Sequence, residues 1–270
     1  MKAQTAVPLP PPDEVSEPPK PAAPPGPRRK LRGRVVPIAA LDDLSIQAMW
    51  HIFERYYVDV TAERFRADLA SKHSVILMQD AQSGAIKGFS TVQLFDREVS
   101  GRRIRVLFSG DTVLEAGYWG QGTLRRGFVR VMFLEKLRHP FTPLYWFLLS
   151  KGYRTYLLLA RNVVSFWPRY DAATPPAIAQ LIGTLAQEKF GKAWLPEQGV
   201  VRFEQSLGRV KPGAVPLTAD LQEDPHVRFF HEANPGHGDG EELCCLGKLD
   251  LATCLHSARK FVRGLWLPAR

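Results

Sequence analysis

The sequence predicts an α+β fold, α/β in the broad sense, with an antiparallel meander flanked by helices. Three observations carry that reading. First, "HSVILMQD", "AIKGFSTVQLFDREV" and "RRIRVLFSGDTVLE" are consecutive strand-length runs joined by the tight turns "AQSG" and "SG", the pattern of hairpin-linked strands. Second, apolar residues before and after the meander recur at helical spacing. Third, "PLYWFLLS" is a continuous apolar run of strand length, as in a strand buried on both faces. Apolar residues make up 45% of the 270-residue chain, enough for a sizeable core.

"RVVPIAAL" reads as a first strand. In "DDLSIQAMWHIFERYY", Ile46, Met49, Trp50, Phe53 and Tyr57 share one helical face, with Asp42 or Asp43 as N-cap. "TAERFRADLASK", from Thr61, is a second short helix. After the meander, Gly117, Gly120 and Gly122 interrupt "VLEAGYWGQGTLRRGF". "TLRRGFVRVMFLEKL" then has the spacing of a long helix with Leu124, Phe128, Val131 and Leu134 towards the core. "KGYRTYLLLARN" is a helix after the buried strand. A loop-rich insert, about 163–225, holds one helix, "PPAIAQLIGTLAQEKFG", punctuated by proline at its start and Gly191 at its end. "PHVRFFHEANP" and "EELCCLGKLD" are expected to form a terminal hairpin. "LATCLHSARKFVRGLWL" is expected to close the chain as a basic amphipathic helix, about 251–267. The order is β–α–α–β–β–β–α–β–α–(insert)–β–β–α, without internal repeats.

Residues 1–30 read as a disordered proline-rich tail and 31–270 as a single domain. Proline removes donors and fixes φ, and the tail has little to bury. Its PxxP spacings match an SH3-type groove or a passive tail. The formal net charge is +9, and 28–34, "RRKLRGR", carries five positive charges with no negative one. Such a cluster suits an anionic surface or a solvated boundary. No run of about 18 apolar residues is present, and the first residues do not read as a signal peptide. Cys244, Cys245 and Cys254 suggest neither a disulfide framework nor a zinc site. The expected compartment is the cytoplasm.

The element order and the glycine turn together resemble the GCN5-related N-acetyltransferase (GNAT) fold, over roughly residues 34–162 and the last hairpin. The resemblance implies a mixed, mostly antiparallel twisted sheet flanked by helices, with an insert before the last hairpin. In that family the turn after the fourth strand reads Arg/Gln-x-x-Gly-x-Gly/Ala and holds the pyrophosphate of an acyl-CoA. Trp119, Gly120, Gln121, Gly122, Thr123 and Leu124 match this turn, with Tyr118 before it and Arg125 after it. Trp119 stands where Arg or Gln is usual, and Leu124 where a small residue is usual. Arg125 and Arg126 lie one turn on and can supply charge. A helix N-terminus offers unpaired N–H groups to an anion, and glycine lets the backbone approach.

The same resemblance implies that Thr112, Val113 and Leu114, beside Asp111, hold the pantetheine arm. It also implies that a carboxylate near this strand deprotonates an amine. Asp111 is the candidate base, with Glu115 behind it; Asp111 capping a bulge or pairing with an arginine is the competing account. A tyrosine on the helix after the fifth strand protonates the leaving thiolate; Tyr153 and Tyr156 are the candidates, or ordinary core tyrosines. Ser150 stands where the family often has Asn. In "HEANPGHGDGEE", His237 can act as a base or acceptor contact, or lie in a flexible hairpin loop. His231, His237 and Asp239 match no strong metal spacing, so no metal is expected. "FWPRYDAATPP" can line an acceptor pocket or pack as a loop. Trp146 and Phe147 can line room for a longer acyl chain or sit in the core.

The leading expectation is therefore an acyl-CoA-dependent acyltransferase. It would move an acyl group, acetyl or longer, from the acyl-CoA co-substrate to an amine on an unidentified small molecule or protein. The competing expectation is a catalytically inactive module that binds an anionic membrane surface through basic segments. No helix-turn-helix, zinc-finger or RNA-recognition signature supports specific nucleic-acid binding.

Overall fold

Side-chain alternation and tight turns organise the sheet. The computed structural model describes residues 30–99, 101–204, 207–214, 217–250, 252–253 and 255–256. The tail over 1–29, Cys254 and most of the expected closing helix lie outside the described residues. β1 (Leu31–Pro37) leads to α1 (Asp43–Tyr56), the short β2 (Tyr57–Val58) and α2 (Ala62–Ala70). The meander follows as β3 (Ser74–Asp80), β4 (Ile86–Val99) and β5 (Arg102–Leu114). Then come α3 (Thr123–Arg138), β6 (Leu144–Ser150) and α4 (Tyr153–Ala160). Asp42 caps α1 by accepting from the Ser45 N–H at 2.8 Å, and Thr61 caps α2 from Arg64.

The insert is more ordered than its composition suggests. It supplies β7 (Ser165–Trp167), α5 (Pro176–Phe190), β8 (Trp194–Leu195), β9 (Val200–Val201), β10 (Arg209–Val210) and α6 (Ala219–Gln222). The chain continues through α7 (Pro225–Ala233) to β11 (Glu242–Lys248). The sheet order is β1-β3-β4-β5-β6-β11-β9-β8, with β7 also on β11, and β10 pairs β2 separately. Among the described strands only β5 and β6 run parallel, around α3 as their crossover. The fold class is thus a mixed, mostly antiparallel sheet flanked by helices.

Two expectations fail here. "PHVRFFHEANP" is helix α7, not the first strand of a terminal hairpin. Asp224 accepts from the His226 N–H, Pro225 takes the first turn, and Val227 and Phe230 are buried at i, i+3 spacing. The cap and the proline outweigh the strand preference of the aromatic residues. On α3, Phe128 and Val131 are buried but Leu134 is 38% exposed. Glu135 takes the inward position, bonded to Arg105 at 2.7 Å and Arg138 at 2.9 Å.

The period of two divides the core. Val75, Leu77, Phe89 and Val113 pack with α1 and α2, and Phe108, Phe147 and Cys244 with α5. Ile76, Leu107, Trp146 and Cys245 face Phe128, Tyr156 and Phe230 of α3, α4 and α7. α3 sits so close to the sheet that a Cβ at Gly127 would lie 2.4 Å from the Ile76 side chain. Both described cysteines are free and buried.

Two irregularities open the site. A bulge sets Gly110 and Asp111 of β5 opposite one residue of β4, between the pairs Ser90–Thr112 and Val92–Ser109. The β5–β6 ladder also ends at Ser109–Leu148, while β5 runs on to Leu114 and β6 to Ser150. Beyond that point the two strands part, and their facing backbone groups leave the ladder.

Candidate active site

A cavity of about 930 Å³ fills the gap between the parting strands. β5 from Ser109 to Leu114 forms one wall, and Leu149, Lys151 and Tyr153 the other. The N-terminus of α3 stands at one end. Aromatic residues of α1, β2 and α2, including Phe53, Tyr57 and Phe65, stand at the other, with Phe190 and Phe203 of the insert. Ligand sites favour the carboxyl ends of parallel strands where the chain switches direction, and this gap is such a place.

The α3 end is built from backbone and cations. Gly120 and Gly122 have φ of +81° and +68°, which a side chain disfavours. Gly122 is the N-cap and makes no side-chain cap, so the first N–H groups of α3 have no intrahelical partner. Gly120, Gly122, Thr123, Leu124 and Arg125 all line the cavity. Trp119 lines it as well, donating its indole N–H to the Leu114 carbonyl at 2.8 Å. The Arg154 guanidinium stacks 3.8 Å from the Trp119 ring centroid. Its Nε is buried without a hydrogen-bond partner among the described residues. Trp119 thus positions a guanidinium from α4. Gln121 is the exception to the expected cofactor contacts. It does not line the cavity; its Oε1 accepts from the Leu31 N–H at 3.0 Å and its carbonyl from Arg126, so it braces the turn.

The opposite end concentrates ionisable side chains. Thr112, Val113 and Leu114 line the wall beside Asp111. Ser90 Oγ lies 2.6 Å from Thr112 Oγ1, which donates to the Gly110 carbonyl and so fixes the bulge. Asp111 is carried by that bulge into the cavity. Burial pushes its carboxyl up to about 6, Asp68 adds to the rise, and Lys151 and Lys72 oppose it. Lys72 is paired with Asp68 at 2.5 Å. Lys151 lies 3.5 Å from Glu242, whose carboxyl burial also pushes up. The Tyr57 hydroxyl donates to the Thr112 carbonyl at 3.4 Å. Lys189 donates to Gln93 at 2.7 Å, and burial brings it down to about 8. A carboxylate whose charged form is disfavoured by burial can accept a proton near neutral pH.

The two tyrosines separate. Tyr153, at the start of α4, lines the cavity. Tyr156 does not: it is fully buried in the core and donates to the Pro168 carbonyl at 3.0 Å. Its ring packs among Phe166 and the α7 residues Phe229 and Phe230. His237 lines the cavity, held in a short 3-10 turn between α7 and β11 rather than in a hairpin loop. His237 Nε2 lies 2.9 Å from His231 Nδ1, and burial lowers the basicity of His237. The buried Asn234 amide bonds the Glu241 carbonyl at 3.0 Å and anchors that turn.

Other expectations resolve structurally. "FWPRYDAATPP" does not line the cavity: it begins on β7 with Phe166 buried, and beyond it Arg169 pairs with Asp171 while Tyr170 is exposed. Trp146 and Phe147 are core residues. Glu115 pairs with Arg55 and Lys87. Among the described residues no three His, Cys, Asp or Glu side chains could hold a metal ion. Nor is any helix there long and apolar enough to cross a membrane. Asp68, Lys72, Lys151, Arg154 and Glu242 were not readable as site residues from local sequence. Lys151 carries one usable signal, its position just past the end of a doubly buried strand.

Comparison with known proteins returns structures alone. One similar solved structure is a GNAT family N-acetyltransferase (YhbS) from Escherichia coli in complex with CoA. It has 16% identity, covers 55% of this chain and 81% of its own, and has a TM-score of 0.35. A probable N-acyltransferase from Enterococcus faecalis V583 has 14% identity, 61% and 45% coverage and a TM-score of 0.37. The ribosomal-protein-S18-alanine N-acetyltransferase from Escherichia coli has 14% identity, 53% and 86% coverage and a TM-score of 0.34. No protein-family model matches the chain, and no curated protein matches it.

Proposed function

We propose that this protein is an acyl-CoA-dependent acyltransferase of GNAT type, carried by one domain over 31–270. It would transfer an acyl group, acetyl or longer, to an amine by direct attack. The observation that carries this is the gap between β5 and β6, which joins a capless helix N-terminus to the half-buried Asp111 carboxyl. The amides around Gly120–Leu124, with Arg125 and Arg154, fit a pyrophosphate. The edge of β5 from Asp111 to Leu114, which has left the β5–β6 ladder, fits an extended amide-bearing arm.

In this reading Asp111 accepts the proton of the attacking amine nitrogen as the new C–N bond forms. The thioester C–S bond then breaks, and the Tyr153 hydroxyl gives a proton to the departing sulfur. His237 stands at the same cavity as an acceptor contact. Acceptor amines would enter as cations drawn by the carboxylates of Asp68, Asp111 and Glu242, lose one proton to solvent before attack, and give the second to Asp111. The test is release of free thiol from acetyl-CoA and longer acyl-CoA in the presence of a panel of primary amines. Amine-dependent release by the full chain is expected. Acyl-CoA binding with no turnover on any amine would favour the inactive-module alternative instead.

A further inference from the structure

The outward face of α3 carries apolar side chains where solvent-facing polar ones are usual. Its inward side is fixed by Phe128, Val131, Glu135 and the contact of Gly127 with Ile76. A turn of about 100° per residue then directs Arg126, Arg130, Phe133 and Leu137 outwards. Phe133 is 59% exposed and Leu137 62%. Phe141, in the turn after the helix, is 98% exposed. Lys136 donates to the Pro140 and Thr142 carbonyls at 3.3 and 2.8 Å, which fixes that turn at the end of the helix. Three bulky apolar side chains thus face solvent from one helix and its terminal turn.

The charge around them has one sign. Between residues 123 and 143 stand Arg125, Arg126, Arg130, Lys136 and Arg138, against Glu135 alone. Glu135 is buried and bonded to Arg105 and Arg138. Arg130 is exposed and makes no ion pair among the described residues.

We propose that this face docks on an anionic lipid bilayer. Phe133, Leu137 and Phe141 would enter the boundary between headgroups and acyl chains, and Arg130 and Arg138 would meet lipid phosphates. Charge selects this occupant. A second copy of the stripe would set arginines against arginines with no exposed acid between them. The segment 257–270, with Arg259, Lys260, Arg263 and Arg270 and no acid, is repelled in the same way. An anionic surface gains about fivefold in partitioning for each basic side chain held near it. This surface is independent of the acyl-transfer reading.

The experiment is sedimentation of the full chain with phosphatidylcholine vesicles, with and without phosphatidylglycerol, at low and high salt. Binding should require the anionic lipid and weaken with salt. Phe133→Ser combined with Phe141→Ser should lower the partition coefficient roughly tenfold or more. Arg130→Glu should lower it by a similar factor. Phe141→Ser alone lies outside the packed core and should lower it severalfold, which keeps the test valid if the Phe133 variant does not fold. Failure to sediment with anionic vesicles would overturn the proposal. So would binding that survives the stripe variants but is lost on replacing Arg28 and Arg29. A dimer in solution that Phe133→Ser dissociates would assign the face to a second copy instead.

Discussion

The two ends of the cavity are made of opposite materials. At the α3 end the recognition groups are backbone amides held by Gly120 and Gly122, together with Arg125 and Arg154. At the far end they are the carboxylates of Asp68, Asp111 and Glu242, interleaved with Lys72 and Lys151. One end suits a highly charged anion close to solvent, where a helix terminus can act without desolvating a side chain. The other suits a cationic amine that must lose a proton, for which a carboxyl raised by burial is the right partner. Under the proposed function, the cavity would bind by charge at one end and change protonation at the other.

Substitutions at the two ends should therefore fail differently. The largest effect is expected at Asp111. Asp111→Asn should lower kcat by roughly 10²–10⁴-fold while acyl-CoA affinity stays within a few-fold. Because the active form is the carboxylate and burial brings the group to about 6, wild-type rate should fall as pH drops through that value. A pH–rate profile checks the sign: a wild-type profile flat through that pH would remove Asp111 from the base role. Next is the tyrosine pair. Tyr153→Phe should lower kcat by about 10²-fold. Tyr156→Phe, which loses one bond to Pro168, should cost about 1 kcal/mol of stability and leave the rate nearly unchanged. The smallest effect is expected at the α3 end, where several donors share the load. Arg154→Ala should weaken acyl-CoA binding about tenfold, seen in KM for the donor rather than in kcat.

The same contrast explains what could be read from the chain. The α3 end is local: a strand, three glycines and a helix within a dozen residues place Gly120, Gly122, Thr123 and Arg125 together. The meander and the doubly buried β6 were legible for the same reason, since tight turns and apolar runs act over short distances. The far end is assembled from α2, β5, β6 and β11, so Asp68, Lys151 and Glu242 become neighbours only through the sheet order. Asp111 itself points into the cavity because of a bulge, which leaves no mark in the apolar pattern. α7 was misread because its aromatic residues suit a strand, while its start signal, Asp224–Pro225, lay inside a segment read as loop. Leu134 and Glu135 exchanged places because Arg105, far away in sequence, makes a buried carboxylate tolerable on α3. Gln121 sits in the middle of the turn motif, yet β1 claims its side chain.

The central claim is that the glycine turn at the head of α3 holds the phosphates of an acyl-CoA. Thermal unfolding of the full chain with excess acetyl-CoA tests it most directly. Saturating ligand should stabilise the folded state by about 2–4 kcal/mol, raising Tm by several degrees. Gly122→Val, which forces a β-branched residue into a left-handed conformation at the cap, should abolish that rise. A wild-type chain whose Tm does not move with any acyl-CoA, or a Gly122→Val chain whose Tm rises as far as wild type, would contradict it.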